Sequence, residues 1–226
     1  MPVIEARSVS HVYGARTVLE RVDVRLTEQR VGIVGANGSG KSTFVRMVNG
    51  LVIPTEGSVT VDGLDPRREG REVRRRVGFC FTDPDAQIVM PTVAEDVAFG
   101  RRRRGLSKPE ARERVDAALQ AYGLADHADH PAHLLSGGQK QMLALASVLV
   151  TEPEVLVMDE PTTLLDLRNA QLVSGVVAGL AQQVLLVTHH LDLLAGFDRV
   201  LVFDEGRLVC DDVPTTAVAH YRKLMA

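Results

Sequence analysis

The chain has 226 residues and 45% hydrophobic content, enough for one α/β domain with a sizeable core and no need of cross-links. Its formal net charge of −3 gives no chain-wide basic field, which argues against a protein that holds nucleic acid by neutralising phosphates. The amino terminus, MPVIEARSV, lacks the apolar run of a signal peptide, and no stretch approaches the roughly 18 apolar residues that cross a bilayer; the expectation is a chain that is not secreted and that serves a membrane only through another, spanning chain.

Two β-rich runs, Val3–Val9 and Val18–Leu26, open the sequence, and Arg30–Val34 leads as a strand into a glycine-rich turn and an apolar helical stretch, Ser42–Asn49. Gly57–Asp62 alternates as a strand, and Val77–Phe81 is a short apolar strand after the arginine-rich segment Arg67–Arg76. Ser107 and Glu110 form a capping box ahead of Ala111, Val115, Ala118, Leu119 and Tyr122 at helical spacing, which predicts a helical insertion. Val155–Met158 and Val184–Val187 are continuous apolar runs of the kind buried on both faces in a parallel sheet, and Val200–Phe203 and Arg207–Cys210 close the chain as a hairpin around Glu205-Gly206. Cys80 and Cys210 lie in apolar strand-like stretches and read as buried thiols in a reducing compartment. The arginine runs Arg74–Arg76 and Arg101–Arg104 read as solvated faces or helix ends, the second also suiting an acidic partner surface or lipid headgroups.

Three motifs carry chemistry. Gly35-Ala36-Asn37-Gly38-Ser39-Gly40-Lys41-Ser42 fits G-x-x-x-x-G-K-[ST] between a strand and a helix: glycines turn backbone amides onto phosphates, the helix N-terminus adds its positive end, Lys41 reaches the β/γ phosphates and Ser42 ligates Mg²⁺. Val155-Leu156-Val157-Met158-Asp159-Glu160 delivers two carboxylates at a strand's C-terminal end, where Asp159 suits the Mg²⁺ shell and Glu160 the attacking water. Leu135-Ser136-Gly137-Gly138-Gln139 precedes the apolar run Met142–Val150, so Ser136 and two glycines offer amides at a second helix N-terminus. One γ-phosphate does not need two cradles in one subunit, which suggests that the second serves a nucleotide held by a partner.

In this order and spacing, these motifs and the Thr188-His189 pair resemble the ATP-binding-cassette ATPases over nearly the whole chain. The resemblance implies an α/β phosphate-loop nucleotide-binding core with a mixed sheet and an N-terminal antiparallel β subdomain, and a helical subdomain inserted between Thr82 and the LSGGQ run. The chain is then one domain, its core spanning about residues 1–82 and 151–226 and its helical subdomain about 83–150. By the same resemblance ATP lies on Tyr13, Gly35, Asn37, Gly38, Ser39, Gly40, Lys41, Ser42 and Thr43, with Ser136, Gly137, Gly138 and Gln139 contacting nucleotide. Glu160 is the general base, His189 contacts the γ-phosphate, Ser42 and Asp159 hold Mg²⁺, and Asp166 lies in a loop linking two subunits.

The sequence also departs from the family pattern. Thr82 stands where a glutamine usually touches Mg²⁺ and water, with Gln87 five residues on as a candidate substitute or a surface residue. Leu164 stands where glycine is usual, and Met142 where arginine is common. Asp83–Gly100, DPDAQIVMPTVAEDVAFG, resembles the ATPases of energy-coupling-factor importers for vitamins and transition metals. The chain ends about sixteen residues after its hairpin, as in biotin importers. The resemblance therefore implies an ATPase at the cytoplasmic face of the cell membrane, partnered by a second cassette, as a homodimer or with a close paralogue, and by integral membrane transport subunits, without nucleic acid. Biotin is the favoured cargo, with cobalt or nickel next. The rival reading is a soluble cassette ATPase of iron–sulfur cluster assembly or of nucleic-acid or ribosome work.

Overall fold

The computed structural model describes residues 1–101 and 107–226. The run Arg101–Arg104 lies outside them, apart from the backbone of Arg101. Strands β1 (Ile4–Tyr13) and β2 (Arg16–Leu26) pair antiparallel across a turn in which Gly14 takes φ +59°. β3 (Arg30–Gly35), buried along its whole length, runs into the glycine-rich loop and α1 (Lys41–Val48). β4 (Glu56–Val61) returns to the free side of β1, giving a three-stranded antiparallel sheet in the order β2-β1-β4.

α2 (Pro66–Arg76) begins at Asp65, whose side chain accepts from Arg67 N, with Pro66 in the first turn. Only Pro66 and Val73 of this helix are buried, so no apolar periodicity announces it, and Arg74–Arg76 form its last turn. β5 (Val77–Cys80), α3 (Val93–Arg101), α4 (Lys108–Ala121) and α5 (Gly137–Leu149) follow, with the capping box of Ser107 and Glu110 at the start of α4. β6 (Val155–Asp159), α6 (Leu167–Gly179), β7 (Gln183–Val187), β8 (Arg199–Asp204), β9 (Arg207–Asp212) and α7 (Pro214–Leu224) complete the chain. Glu205 and Gly206, with φ +44° and +82°, make the two-residue turn that matches strand twist in a hairpin.

The second sheet has the order β5-β6-β7-β3-β8-β9, parallel except for β9. One of its faces meets the antiparallel sheet and α1 in a core that includes Ile4, Leu26, Ile33, Phe44 and Phe203, the two rings 5.2 Å apart. The other face carries Val34, Leu156, Met158 and Val202 against α5, α6 and α7. Val97 of α3, Val115 and Leu119 of α4, and Leu143 and Ala146 of α5 form a third, purely helical core. Cys80 is buried as expected, but Cys210 is half-buried, because β9 is an edge strand with one face to solvent.

Candidate active site

The C-terminal ends of β3, β6 and β7 converge, as the parallel order requires, and each delivers part of one cluster. At the end of β3, Gly35 lies so close to β8 that a Cβ would stand 2.2 Å from Phe203 O. Gly38 and Gly40 take φ +81° and +100°, the left-handed region that glycine enters without strain. At Gly40 a Cβ would also stand 2.6 Å from Leu19 Cδ2, so strand β2 packs the loop from below. The hairpin turn braces it from the side, with Gly206 N donating to Ser39 O at 3.2 Å. Asn37 and Gly38 are exposed at the tip, while Ser39 is buried with no partner for its hydroxyl among the described residues.

Lys41 is buried, and its Nζ donates to Gly35 O at 2.7 Å and Ala36 O at 2.8 Å. Burial lowers its pKa, and the negative charges of Glu160 and Asp159 work against that shift. Ser42 Oγ donates to Asp159 Oδ1 at 2.8 Å, and half-buried Thr43 follows on the same turn of α1. Sequence reasoning missed two cations. Arg46, one turn into α1, binds the other Asp159 oxygen at 3.0 Å and so compensates a carboxylate only 1% exposed. Arg16 lies over the loop, its Nη2 3.2 Å from where a Gly38 Cβ would be. Arg46 falls four residues after Ser42 on one helix face, a spacing that sequence alone could have flagged; Arg16 carried no such signal.

Glu160, just past β6, takes φ +54°, a conformation that costs a non-glycine residue about 1–3 kcal/mol and is often kept where function needs it. Its Oε1 lies 2.9 Å from His189 Nε2, and its Oε2 accepts from Thr163 Oγ1 at 3.1 Å. His190 turns elsewhere, to Thr162 Oγ1 at 3.2 Å. Mg²⁺ favours hard oxygen donors, and the touching Ser42 hydroxyl and Asp159 carboxylate are such a pair. The buried lysine, the orphan Ser39 hydroxyl and the glycine amides around them are suited to phosphate.

Ser136 caps α5: its Oγ accepts from Gln139 N at 3.3 Å, while Gln139 Oε1 accepts from Ser136 N at 2.9 Å. Of the amides expected to be free, that of Ser136 is therefore taken by the Gln139 side chain, which points back into its own subunit. Gly137 has open space around it, whereas a Cβ at Gly138 would stand 2.2 Å from Asn169 Oδ1. Asp166 caps α6 by accepting from Asn169 N at 2.8 Å. Tyr13 ends β1 with 53% of its surface exposed, its ring edge-to-face with that of His11 at 4.5 Å.

The family model described as ABC transporter matches residues 19–163, nearly two thirds of the chain and all three motifs. This chain belongs to the ABC transporter family. The biotin transport ATP-binding protein BioM of Rhizobium etli is 48% identical over 223 residues, 99% of each chain. Among solved structures, cbiO1 of Clostridium perfringens, part of the ABC transporter complex cbiONQ, superposes with a TM-score of 0.84 at 31% identity, over 98% of this chain and 92% of that one. The dimeric post-hydrolysis structure of the ATP-binding cassette MJ0796 with ADP and Pi superposes with a TM-score of 0.81 at 28% identity, over 93% and 98%. The chain is accordingly an ABC ATPase.

Against that family the departures take physical form. The Thr82 hydroxyl donates to the backbone oxygen of Asp159 at 2.7 Å, so this short side chain does reach the end of β6, though through its backbone. Gln87 is neither a surface residue nor an available ligand: it accepts from Phe81 N at 3.1 Å and donates to Ala144 O at 2.9 Å, tying the loop after β5 to α5. Leu164 is 66% exposed and Leu167 76% exposed, two large apolar side chains on one stretch of surface. Met142 is half-buried between the second and third cores.

Proposed function

We propose that this ABC ATPase powers a membrane importer of the energy-coupling-factor type, with biotin as the cargo. The observation that carries the reading is the match, over 99% of each chain, to a protein named for biotin transport. Among the described residues no helix is long and apolar enough to cross a membrane, so cargo passage falls to separate integral membrane subunits, with this chain held at the cytoplasmic face.

ATP is taken up by Gly35–Thr43 with Tyr13 against the base, and Ser136, Gly137 and Gly138 of a second cassette complete the site. Leu164 and Leu167 support this pairing, because exposed leucines beside the Asp166 cap call for a covering surface. Mg²⁺, when bound by Ser42 and Asp159, neutralises phosphate charge. Glu160, fixed through both oxygens, orients the water, and His189 stands beside it at the γ-phosphate. The segment of about residues 83–150 is the helical subdomain that transmits closure to the membrane subunits.

The test is co-purification with an integral membrane protein, followed by labelled biotin uptake in cells carrying wild type or Lys41→Ala. Uptake that depends on Lys41 supports the reading. Uptake of cobalt or nickel instead reassigns the cargo, and failure to recover any membrane partner overturns the importer.

A further inference from the structure

We infer that His127, held by His130, is a positioning residue for Gln139, and that the pair makes the second phosphate cradle work only when both imidazoles are neutral. The inference rests on the reading above that this cradle receives the partner's nucleotide.

The argument is one of donors and acceptors. Gln139 Oε1 accepts from Ser136 N at 2.9 Å, which fixes the amide so that its nitrogen is the atom facing His127 Nε2, also at 2.9 Å. An amide nitrogen only donates, so His127 Nε2 must accept and the ring proton of His127 must lie on Nδ1. That proton points at His130 Nδ1, 2.8 Å away, which must also accept. One chain of donation therefore runs Ser136 N, Gln139, His127, His130. A proton added to His127 Nε2 removes the acceptor of Gln139, and one added to His130 Nδ1 opposes the His127 N–H. Either way the Gln139 side chain loses its outer anchor, and with it the reciprocal cap that shapes the start of α5.

Other charges surround the pair. Asp126, Asp129 and His133 share its segment. α3 packs on it through Val93 N to His130 O and Ala94 N to Ala128 O, and carries Glu95 and Asp96. Glu95 is bonded to Thr92, Asp96 to Val89 N, Met90 N and Ser147, and Lys140 of α5 to Asp85. These three are committed elsewhere, and Gln139 is the polar group of α5 bonded to His127.

The experiment measures ATP-dependent dimerisation in the Glu160→Gln background between pH 8 and 5.5, beside nitrogen-15 histidine spectra of the monomer. At pH 8 the spectra should show His127 with its proton on Nδ1, and the opposite tautomer overturns the inference. Dimer affinity should fall about tenfold towards pH 5.5, as expected for losing one bond of about 1.4 kcal/mol. His130→Gln, which puts a non-titrating group on an exposed position, should flatten that fall by at least threefold. His127→Phe should dimerise weakly at every pH. An unchanged pH profile in His130→Gln, with wild-type dimerisation in His127→Phe, sinks the proposal. No ATP-driven dimer at pH 8 even with intact histidines would instead sink the two-cassette reading.

Discussion

His189 Nε2 lies 2.9 Å from Glu160 Oε1, joining the ends of two neighbouring strands, β7 and β6. The imidazole and Thr163 together leave Glu160 little rotational freedom, so its charge is aimed before any nucleotide arrives. Preorganisation of this kind is where much of phosphoryl-transfer catalysis comes from.

Replacing Glu160 by glutamine keeps shape and removes the negative charge that would orient water. Turnover is expected to fall by 100-fold or more, at the order of magnitude of a lost general base, while ATP binding persists. With hydrolysis blocked, the ATP-bound dimer should accumulate, visible as a doubled mass in size-exclusion chromatography with light scattering. A monomer that still binds ATP would count against a shared site.

Lys41 is the buried cation of the cradle, and its two carbonyl partners belong to the loop itself. Lys41→Ala should weaken nucleotide binding roughly 10- to 100-fold, the worth of one charged hydrogen bond of about 1.5–3 kcal/mol. Titration with a fluorescent ATP analogue reads this directly. Unchanged affinity would mean that the backbone amides and Arg16 carry the binding without Lys41.

The two glycines of the second cradle should separate. Gly137 has no neighbour within 4 Å of an added Cβ, while one at Gly138 would be driven into Asn169. Gly138→Ala should displace α6 from α5 and lower the melting temperature, by several degrees if the strain is about 1–3 kcal/mol. Gly137→Ala should melt as wild type, so any loss of ATPase in it reports on nucleotide contact rather than packing. Equal melting temperatures for the two variants would contradict the packing described here.

Much of this was legible in the sequence, because strand, loop and helix each carried their own signal. The run Val155–Asp159 reads as a buried parallel strand since neither face can afford a polar residue, and the loop from Gly35 to Ser42 needs glycine at three positions for backbone reasons. What was not legible depends on which distant residues meet. Gln87 looks like a surface glutamine until α5 brings Ala144 O beside it, and the pairing of Arg46 with Asp159 spans 113 positions. Helix α2 escaped notice because a half-exposed, arginine-rich helix has no apolar stripe, only its Asp65-Pro66 start.

Cys80 gives a stability test at alkaline pH. Burial pushes its thiol up to about 12, with a hydrogen bond from Gln87 easing the shift. The folded chain therefore keeps the proton to higher pH than the unfolded chain, whose thiol titrates near 8.5. Its contribution is full below that value and declines as pH rises towards the folded value, by at most about 1.4 kcal/mol per pH unit. Urea midpoints at pH 8 and pH 10 should differ more in wild type than in Cys80→Ala. Iodoacetamide on the native protein should label half-buried Cys210 and spare Cys80; an equal pH dependence in both proteins would show that the thiol is not the titrating group.

Thr82 stands where the resemblance places a glutamine, and its hydroxyl is already committed to the Asp159 carbonyl. The expectation is a slow ATPase in the isolated subunit, because a threonine there is shorter than a glutamine and its one donor is spent on the Asp159 carbonyl. Thr82→Gln should raise basal hydrolysis, by up to about tenfold if one hydrogen bond of about 1.4 kcal/mol is made only in the transition state. Thr82→Val should do the opposite in another coordinate, leaving the Asp159 carbonyl unpaired and lowering stability by about 1–3 kcal/mol. Gln87 is not a substitute ligand in this geometry, since both ends of its amide hold backbone. Gln87→Ala should therefore loosen the loop and lower the melting temperature, and Thr82→Gln should not rescue it. ATPase rates and melting temperatures of the three single variants and the Thr82→Gln, Gln87→Ala double variant decide the matter. Rescue of activity in the double variant would return Gln87 to the reaction, and unchanged hydrolysis in Thr82→Gln would show that this loop does not limit the rate.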